Sequence, residues 1–332
     1  MKIIFFSTKQ YDEEYFKRSN NSYNHELRFI EAKLTYDTVS LINGESTICV
    51  FVNDELDRKV ISKLSEVGVK LIALRCAGYN NVDMDAAHEF SITVVRVPAY
   101  SPYAVGEHTI GLMLSLNRKI HRAYQRVRDG NFSLEGLLGF DFCGRTIGII
   151  GTGRIGTVVA RIASAMGMKV VAHDPVQNSE CEHFGVNYVD MDYLFTHSDV
   201  ISIHCPLTAE TKHIINESAL DKMKPGVMLI NTSRGATLDT CAVLEGLKTK
   251  KIGYLGLDVY EQESKLFFED LSCEIIQDDI FERLLTFPNV LITAHQGFFT
   301  SDALKNIADT TLESITQFEE GRNLENKVTD TS

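Results

Sequence analysis

A short apolar strand that runs into a glycine-rich turn and then a helix gives the strongest indication of how this chain folds. Residues 146–150 are apolar and largely β-branched, Gly151, Gly153 and Gly156 follow, and residues 158–163 repeat with a helical period. In such a unit the first glycine permits a tight turn, the second lets a pyrophosphate approach the backbone, and the third lets the helix pack on the strand. The helix start then binds phosphate through its N–H groups and dipole. The pattern predicts a dinucleotide site, although a glycine triplet alone also occurs in plain turns.

Asp174 follows the next apolar run, residues 169–173, where such a unit places the carboxylate that accepts hydrogen bonds from the adenosine ribose. An aspartate that caps a turn or helix before Pro175 is the alternative. Residues 174–184 contain no Arg or Lys that could pair with a ribose 2′-phosphate. The sequence therefore predicts NAD rather than NADP as the cofactor.

Length, charge and cysteine content narrow the class of protein further. At 332 residues the chain is long for one core, and its formal net charge of −12 argues against a nucleic-acid partner. No apolar run approaches the roughly 18 residues of a membrane helix, and the apolar start of the chain is too short for a signal peptide. Seven cysteines without C-x-x-C spacing indicate reduced thiols in the cytoplasm, with no zinc or other metal site expected.

Short strands alternate with helices along the chain, which predicts two doubly wound, parallel-sheet α/β domains. In the first hundred residues we predict strands at 2–6, 47–52, 70–74 and 92–95, and helical segments at 12–32, 54–67 and 82–90. We then predict helices at 102–118, 118–128 and 301–320, and strands at 146–150, 169–173, 200–203, 227–231, 254–258 and 290–293. About the last ten residues are expected to be disordered.

Three ionisable residues follow strand ends in the second half of the chain: Arg234, Glu263 and His295. In an open parallel sheet the loops after the strands converge on the ligand site. An Arg can bind a carboxylate with two parallel hydrogen bonds, and a His can exchange a proton near neutral pH with a Glu holding its tautomer. The trio suits reversible hydride transfer between a 2-oxo acid and a nicotinamide, although each residue alone also fits a surface or capping role.

The chain resembles the D-2-hydroxyacid dehydrogenases over nearly its whole length, because eleven of its segments match the family's motifs in the same order. It is most similar to the NAD-dependent D-lactate dehydrogenase branch of fermentative bacteria. These segments are 75–83, 94–102, 117–126, 131–137, 151–156, 199–208, 231–236, 257–261, 267–270, 276–279 and 293–298. The resemblance implies that a substrate domain is built from residues 1–99 plus 298–332, with a flavodoxin-like fold. It implies that residues 100–297 form a Rossmann-type NAD-binding domain, and that the protein is a homodimer or homotetramer.

The resemblance also implies reversible NADH-dependent reduction of pyruvate to D-lactate. His295 would donate the proton to the carbonyl oxygen, Glu263 would orient His295 and keep it protonated, and Arg234 would bind the carboxylate and polarise the carbonyl. At the substrate the family pattern adds the backbone of Ala77 and Gly78, and the rings of Tyr100 and Phe298. Hinge packing is the alternative role for Tyr100.

For NAD the family pattern implies contacts from the glycine loop and from four later strand ends. The residues are Gly151, Gly153, Arg154, Ile155 and Gly156 at the pyrophosphate, Asp174 at the adenosine ribose, Cys205, Pro206 and Thr211 near the adenine, Thr232 and Ser233 at the nicotinamide ribose, and Asp258 at the carboxamide. Asp258 could instead be a buried cap at a strand end.

Two other functions stay open at this point. One is the same chemistry on a larger, branched 2-oxo acid, because sequence does not give the volume of the substrate pocket. The other is a non-catalytic protein that senses NAD, which the compact ends of the chain argue against. Formate oxidation is disfavoured, because that branch of the family has Gln where Glu263 stands.

Overall fold

Parallel strand pairing organises both sheets of the protein, whose computed structural model describes residues 1–329. The chain divides into two units. Unit 1 comprises Met1–Ser101 together with the described residues from Phe298 onward, and unit 2 comprises Pro102–Gly297. Among residues 1–329, no helix is both long and apolar enough to cross a membrane.

Unit 1 is a five-stranded sheet in the order β2-β1-β3-β4-β5, with every neighbouring pair parallel. Its strands are β1 Lys2–Phe5, β2 Glu26–Phe29, β3 Thr47–Val50, β4 Leu71–Leu74 and β5 Thr93–Arg96. Its helices are α1 Gln10–Asn20, α2 Arg58–Glu66, α3 Met84–Glu89 and, after unit 2, α12 Ser301–Glu319. This strand order is that of flavodoxin-like folds.

Unit 2 is a seven-stranded parallel sheet in the order β12-β11-β10-β9-β6-β7-β8. Its strands are β6 Thr146–Ile150, β7 Lys169–His173, β8 Asn187–Tyr188, β9 Val200–Ile203, β10 Val227–Asn231, β11 Ile252–Leu257 and β12 Val290–Ile292. Its helices are α4 Pro102–Arg118, α5 Ile120–Arg128, α6 Arg154–Ala165, α7 Ser179–Glu182, α8 Met191–His197, α9 Glu217–Lys222, α10 Thr240–Lys248 and α11 Asp279–Leu285. Counted from β6, the order is that of a Rossmann fold with a seventh strand added, which confirms the predicted fold class.

Side-chain caps determine where many of these helices begin. The residue before the helix accepts a hydrogen bond from an N–H group of the first turn, which would otherwise have no partner. These caps are Asp57, Asp83, Asn178, Asp190, Asn216, Asp239, Asp278 and Thr300. The central strands β3, β4, β9 and β10 are buried along their whole length, as expected for parallel strands covered on both faces.

The prediction of a helical segment over residues 12–32 is wrong beyond residue 20. The Asn20 side chain bonds both the N–H and the carbonyl of His25, and Asn24 has a left-handed φ of 58°. Asparagine favours such local bonds and tolerates this conformation, so the helix ends there. Strand β2 follows and pairs with β1.

The expectation that about the last ten residues are disordered is wrong for residues 326–328. The Arg96 N–H donates to the carbonyl of Asn326 (3.0 Å), and the Val328 N–H donates to the carbonyl of Val94 (2.9 Å). The Val328 side chain is buried. This segment therefore pairs with the edge of β5, and residues 330–332 lie outside the described part of the chain.

Candidate active site

Arg234 lies just after β10 in a loop held by the buried side chain of Asn231. The Asn231 amide donates to the carbonyl of Arg234 (2.9 Å), and its oxygen accepts from the N–H (3.0 Å) and hydroxyl (2.8 Å) of Ser233. A Cβ on Gly235 would lie 2.0 Å from the carbonyl carbon of Tyr260, so only glycine fits there. One guanidinium nitrogen of Arg234 donates to the carbonyl of Ser233 (2.7 Å), and an arginine has five N–H donors in all. The loop therefore presents a fixed guanidinium with donors to spare.

Glu263 and His295 are in direct contact, as expected for residues in loops that follow neighbouring parallel strands. Nδ1 of His295 lies 2.9 Å from Oε1 of Glu263, and Oε2 of Glu263 accepts the Tyr260 N–H (2.9 Å). Because an ionised carboxylate only accepts hydrogen bonds, the bonded Nδ1 carries a proton. Nε2 is then the nitrogen of His295 that can exchange a proton with a ligand. Strand β11 pairs with both β10 and β12, so Arg234 lies at the end of a neighbouring strand.

His295 has a left-handed backbone, with φ of 52°. Its N–H donates to the carbonyls of Asp258 (2.8 Å) and Thr293 (3.0 Å). A non-glycine residue in this region costs free energy and persists only where the surroundings enforce it. The imidazole therefore has its direction set by the backbone as well as by Glu263.

Asp258, at the end of β11, is only 2% exposed and holds the chain around His295. Its carboxylate accepts from the N–H groups of Gln296 (2.7 Å) and Gly297 (2.8 Å) and from the hydroxyl of Thr293 (2.5 Å). Burial alone would raise the pKa of Asp258, but hydrogen bonds from His108 and Thr293 outweigh it and hold the pKa below its usual range. The side chain is therefore an ionised acceptor inside the protein.

The glycine loop after β6 is tightly packed at its first and third glycines and open at its second. Gly151 has φ of 94°, and a Cβ there would lie 2.7 Å from the backbone nitrogen of Cys205. A Cβ on Gly156 would lie 2.0 Å from the carbonyl oxygen of Gly151, whereas a Cβ on Gly153 would meet nothing within 4 Å. Gly153 caps α6, so Arg154, Ile155 and Gly156 form its first turn. This arrangement leaves the helix start accessible to a phosphate.

Asp174 fixes the same loop from the end of β7. Its carboxylate accepts the N–H groups of Thr152 (2.6 Å) and Val176 (2.9 Å). Sequence reasoning missed two supporting residues. The Asn178 amide donates to the carbonyl of Thr152 (3.2 Å), and the Tyr188 hydroxyl donates to the Thr152 hydroxyl (2.9 Å). Strand β8, which carries Tyr188, is two residues long and too short for any periodic signal.

The residues expected near the adenine and the nicotinamide ribose also follow strand ends. Cys205 follows β9 and is buried, and burial together with the charge of Asp174 raises the pKa of its thiol to about 11. The Thr211 hydroxyl donates to the carbonyl of Pro206 (2.6 Å). The Thr232 hydroxyl lies 2.9 Å from that of Thr109. At neutral pH Cys205 is therefore a small thiol that packs like an apolar side chain.

The residues expected at the substrate from unit 1 lie in two places of that unit. The carbonyl of Ala77 accepts from Arg96 (3.0 Å), and the carbonyl of Gly78 from the Cys76 thiol (3.2 Å). The rings of Tyr100 and Phe298 lie 6.2 Å apart, edge to face. Sequence reasoning missed a further member of that aromatic group, Phe51, whose ring lies 5.9 Å from that of Phe298.

Arg75, directly before the Cys76–Gly78 loop, is a buried cation that is 2% exposed. Its guanidinium donates to the carbonyl of Ser7 (2.8 Å) and to the carboxylate of Asp12 (3.3 Å). Burial alone would lower the pKa of Arg75, but the charge of Asp12 and other neighbours outweighs it and raises the pKa above its usual value. The loop is therefore anchored to the core by a buried ion pair.

A cavity of about 410 Å³ opens beside the second glycine of the loop. It is lined by residues that include Gly153, Arg154, Thr157 and Arg161. Two guanidinium groups beside an accessible helix start suit a pyrophosphate, and Asp174 suits a ribose with free hydroxyls, so these residues fit NAD. In residues 1–329 no cluster of three or more His, Cys, Asp or Glu side chains is arranged to hold a metal.

The comparisons with known proteins agree with this geometry. Residues 110–297 match the family model described as D-isomer specific 2-hydroxyacid dehydrogenase, NAD binding domain. The chain is 55% identical to a 2-hydroxyacid dehydrogenase homolog of Haemophilus influenzae, over 99% of each sequence. It is 53% identical to the D-lactate dehydrogenase of Escherichia coli, over 99% of this chain and 100% of that one.

Solved structures give the same result at the level of the fold. The apo-structure of the Escherichia coli D-lactate dehydrogenase superposes with a TM-score of 0.91 at 51% identity, over 99% of this chain and 100% of that chain. A D-lactate dehydrogenase of Aquifex aeolicus, complexed with NAD and lactic acid, superposes with a TM-score of 0.88 at 34% identity and the same coverage. Together with the matched domain, these relatives confirm NAD as the cofactor.

Proposed function

This chain belongs to the D-isomer specific 2-hydroxyacid dehydrogenase family, and from that premise we propose that it is a D-lactate dehydrogenase that reduces pyruvate reversibly with NADH. The observation that carries the proposal is the 2.9 Å contact of His295 with Glu263, one strand away from the loop of Arg234. A carboxylate-bound imidazole and a guanidinium that follow strands of one sheet suit proton donation to an anionic 2-oxo acid.

In the proposed reaction NADH supplies the hydride to the carbonyl carbon of the substrate. His295 donates the proton from Nε2 to the carbonyl oxygen, and Glu263 holds Nδ1–H and stabilises the charged ring that exists before this transfer. Arg234 binds the carboxylate and offers N–H donors to the oxygen on which negative charge grows. In lactate oxidation the same imidazole accepts the proton.

The remaining site roles are part of the same proposal. We assign the backbone of Ala77 and Gly78 to the substrate carboxylate, and Tyr100 and Phe298 to the substrate side chain. Unit 1 is then the substrate domain and unit 2 the NAD-binding domain. The cofactor contacts are proposed as the family pattern implies them: Gly151, Gly153, Arg154, Ile155, Gly156, Asp174, Cys205, Pro206, Thr211, Thr232, Ser233 and Asp258.

The decisive experiment measures NADH oxidation by the purified protein with pyruvate and with 2-oxoisocaproate, followed by chiral analysis of the product. We expect efficient turnover of pyruvate to the D isomer. A higher kcat/KM for 2-oxoisocaproate would replace pyruvate by a larger, branched 2-oxo acid. Tight NADH binding without turnover of either acid would replace the enzyme by an NAD-sensing protein.

We also propose that the protein is a homo-oligomer, at least a dimer, that works in the cytoplasm. Helix α5 has no buried residue in the single chain, although Ile120 and Val127 are apolar and 54% and 55% exposed. The following segment adds Phe132, Leu134 and Leu138, all largely exposed. Exposed apolar side chains this close together along the chain, here called the α5 patch, are typical of a subunit interface. Free cysteines, three of them exposed, suit a reducing compartment.

A further inference from the structure

We propose that His108, on α4, is a positioning residue for the proton transfer. It acts through Thr293 and Asp258, which together hold the turn that carries His295. The inference rests on the proposed function in one respect, namely that His295 is the proton donor. The hold on the turn is a property of the protein alone.

The turn of residues 293–297 is tied to a single carboxylate. Asp258 accepts from the Thr293 hydroxyl on one side of His295 and from the Gln296 and Gly297 N–H groups on the other. His295 lies between these anchors with its left-handed φ of 52°. The direction of its imidazole therefore depends on where the Asp258 carboxylate is held.

His108 lies against this carboxylate from a different element of unit 2. Its Nε2 is 3.0 Å from the hydroxyl oxygen of Thr293 and 3.2 Å from Oδ1 of Asp258. The ionised carboxylate only accepts, and the single hydroxyl proton of Thr293 goes to Asp258 at 2.5 Å. Both partners of Nε2 are therefore acceptors, so Nε2 carries a proton. The result is a directed chain of hydrogen bonds from His108 through Thr293 to Asp258.

Close packing leaves the turn little freedom to replace this contact. A Cβ on Gly297 would lie 2.9 Å from Oδ2 of Asp258 and 3.5 Å from Cδ2 of His108. Even one methyl group on this part of the turn would therefore press against the carboxylate and touch the imidazole edge. A buried carboxylate that loses one donor must recruit another or move, and either change shifts the turn.

Loss of this donor has a specific consequence. The glycine loop after β6 involves none of these atoms, so its contribution to NADH binding stays intact when His108 is replaced. Asp258 is itself assigned to the nicotinamide carboxamide, so the Kd of NADH rises moderately. A displacement of the proton donor by a fraction of an ångström, in contrast, slows the chemical step. We therefore expect kcat to fall by a larger factor than the one by which the Kd of NADH rises.

The test compares His108→Leu, which removes the donor, with His108→Gln, whose amide places an N–H near the position of Nε2. We expect His108→Leu to lower kcat for pyruvate about 10- to 100-fold, with a smaller rise in the Kd of NADH. Peptides covering residues 293–297 exchange amide hydrogen faster in this variant. His108→Gln recovers most of kcat and of the protection. His197→Leu, which replaces an exposed histidine on helix α8 of the same unit, is the control and behaves as wild type.

Wild-type kcat together with wild-type amide exchange in His108→Leu would overturn the inference. A joint loss of kcat, NADH affinity and thermal stability that His108→Gln does not recover would also overturn it, because His108 would then be a packing residue. If the wild-type protein reduces neither 2-oxo acid, the proposed function fails. The exchange measurement still decides in that case whether His108 holds the turn.

Discussion

At the scale of single residues, the backbone of His295 constrains which replacement gives an interpretable result. Asparagine tolerates a left-handed φ better than most residues, so His295→Asn preserves the turn while removing the imidazole. We expect turnover of pyruvate to fall about 10²- to 10⁴-fold, the usual contribution of a general acid, with NADH binding retained. Steady-state rates and a fluorescence titration with NADH check this. Turnover close to wild type would remove His295 from the mechanism.

Arg75 leads to a second prediction, which concerns stability. Its removal leaves the carboxylate of Asp12 buried without its cation, and such a loss typically destabilises a protein by about 3–5 kcal/mol. We expect that loss for Arg75→Leu in urea unfolding. Arg58→Leu, which breaks an exposed ion pair with Glu89, should leave the unfolding midpoint unchanged. Equal losses of unfolding free energy in the two variants would contradict the prediction that the buried ion pair contributes more to stability than the exposed one.

At the scale of elements, two glycines of the loop after β6 are expected to affect different properties, Gly156 the stability of the protein and Gly153 the binding of NADH. Gly156→Ala places a methyl group against the carbonyl of Gly151, so we expect a loss of about 1–3 kcal/mol from overpacking. Gly153→Ala meets open space and keeps an ordinary φ of −64°, so its melting temperature should change little. Its methyl group occupies space beside the helix start, so the Kd of NADH should rise. Thermal melts and NADH titrations test both, and the reverse pattern would contradict the assignment.

The junction of β6 with β9 should make stability depend on pH. Burial alone would raise the pKa of Asp199, but bonds from the Thr146 N–H (2.9 Å) and Lys224 (2.9 Å) outweigh it and lower the pKa. The ionised group therefore stabilises the fold above its unfolded pKa of about 3.9, and this contribution disappears as pH falls through the folded pKa.

We expect Asp199→Asn to cost about 1–2 kcal/mol at neutral pH and progressively less below about pH 4. Urea unfolding across this range measures the difference from wild type. Asp192→Asn breaks the exposed pair with Lys222 and serves as the control, with stability expected to be unchanged. A difference for Asp199→Asn that grows as the solution becomes more acidic would refute this account.

Long periodic segments were predictable from the sequence, and short ones were not. Buried parallel strands such as β9 and β10 read as continuous apolar runs, and the glycine loop defines β6 and α6. Strands β2 and β8 lie at the sheet edges and mix polar with apolar, partly exposed residues. Whether these residues form strands therefore depends on pairing with the neighbouring strand and not on their composition.

Within the candidate site, too, only part of the arrangement was predictable from the sequence. Side chains that follow neighbouring parallel strands are expected to lie close together, and Glu263 does contact His295. The role of His108 was not predictable in this way. His108 lies on a long helix, and nothing in its local sequence indicates that it contacts Asp258, which is 150 residues later in the chain. The catalytic roles themselves stay predictions until the variants are measured.

At the scale of the whole molecule, the exposed face of α5 predicts self-association. Ile120→Glu combined with Val127→Glu should shift the mass in analytical ultracentrifugation from an oligomer to a monomer, because a charged pair cannot be buried in an apolar interface. Ile275→Glu changes a residue that is 81% exposed outside this patch and should leave the mass unchanged. A wild-type protein that sediments as a monomer would contradict the proposed oligomer.

The insertion of unit 2 within unit 1 sets an order of events during synthesis. Helix α12 packs against α1 and β4, and Val328 bonds to Val94, so unit 1 lacks one of its layers until about residue 329 has left the ribosome. Unit 2 has all its strands by Ile292 and needs no later residue to close its sheet. Its Rossmann core can therefore form first, while the five-stranded sheet of the first hundred residues still lacks helix α12 and exposes apolar surface that chaperones bind.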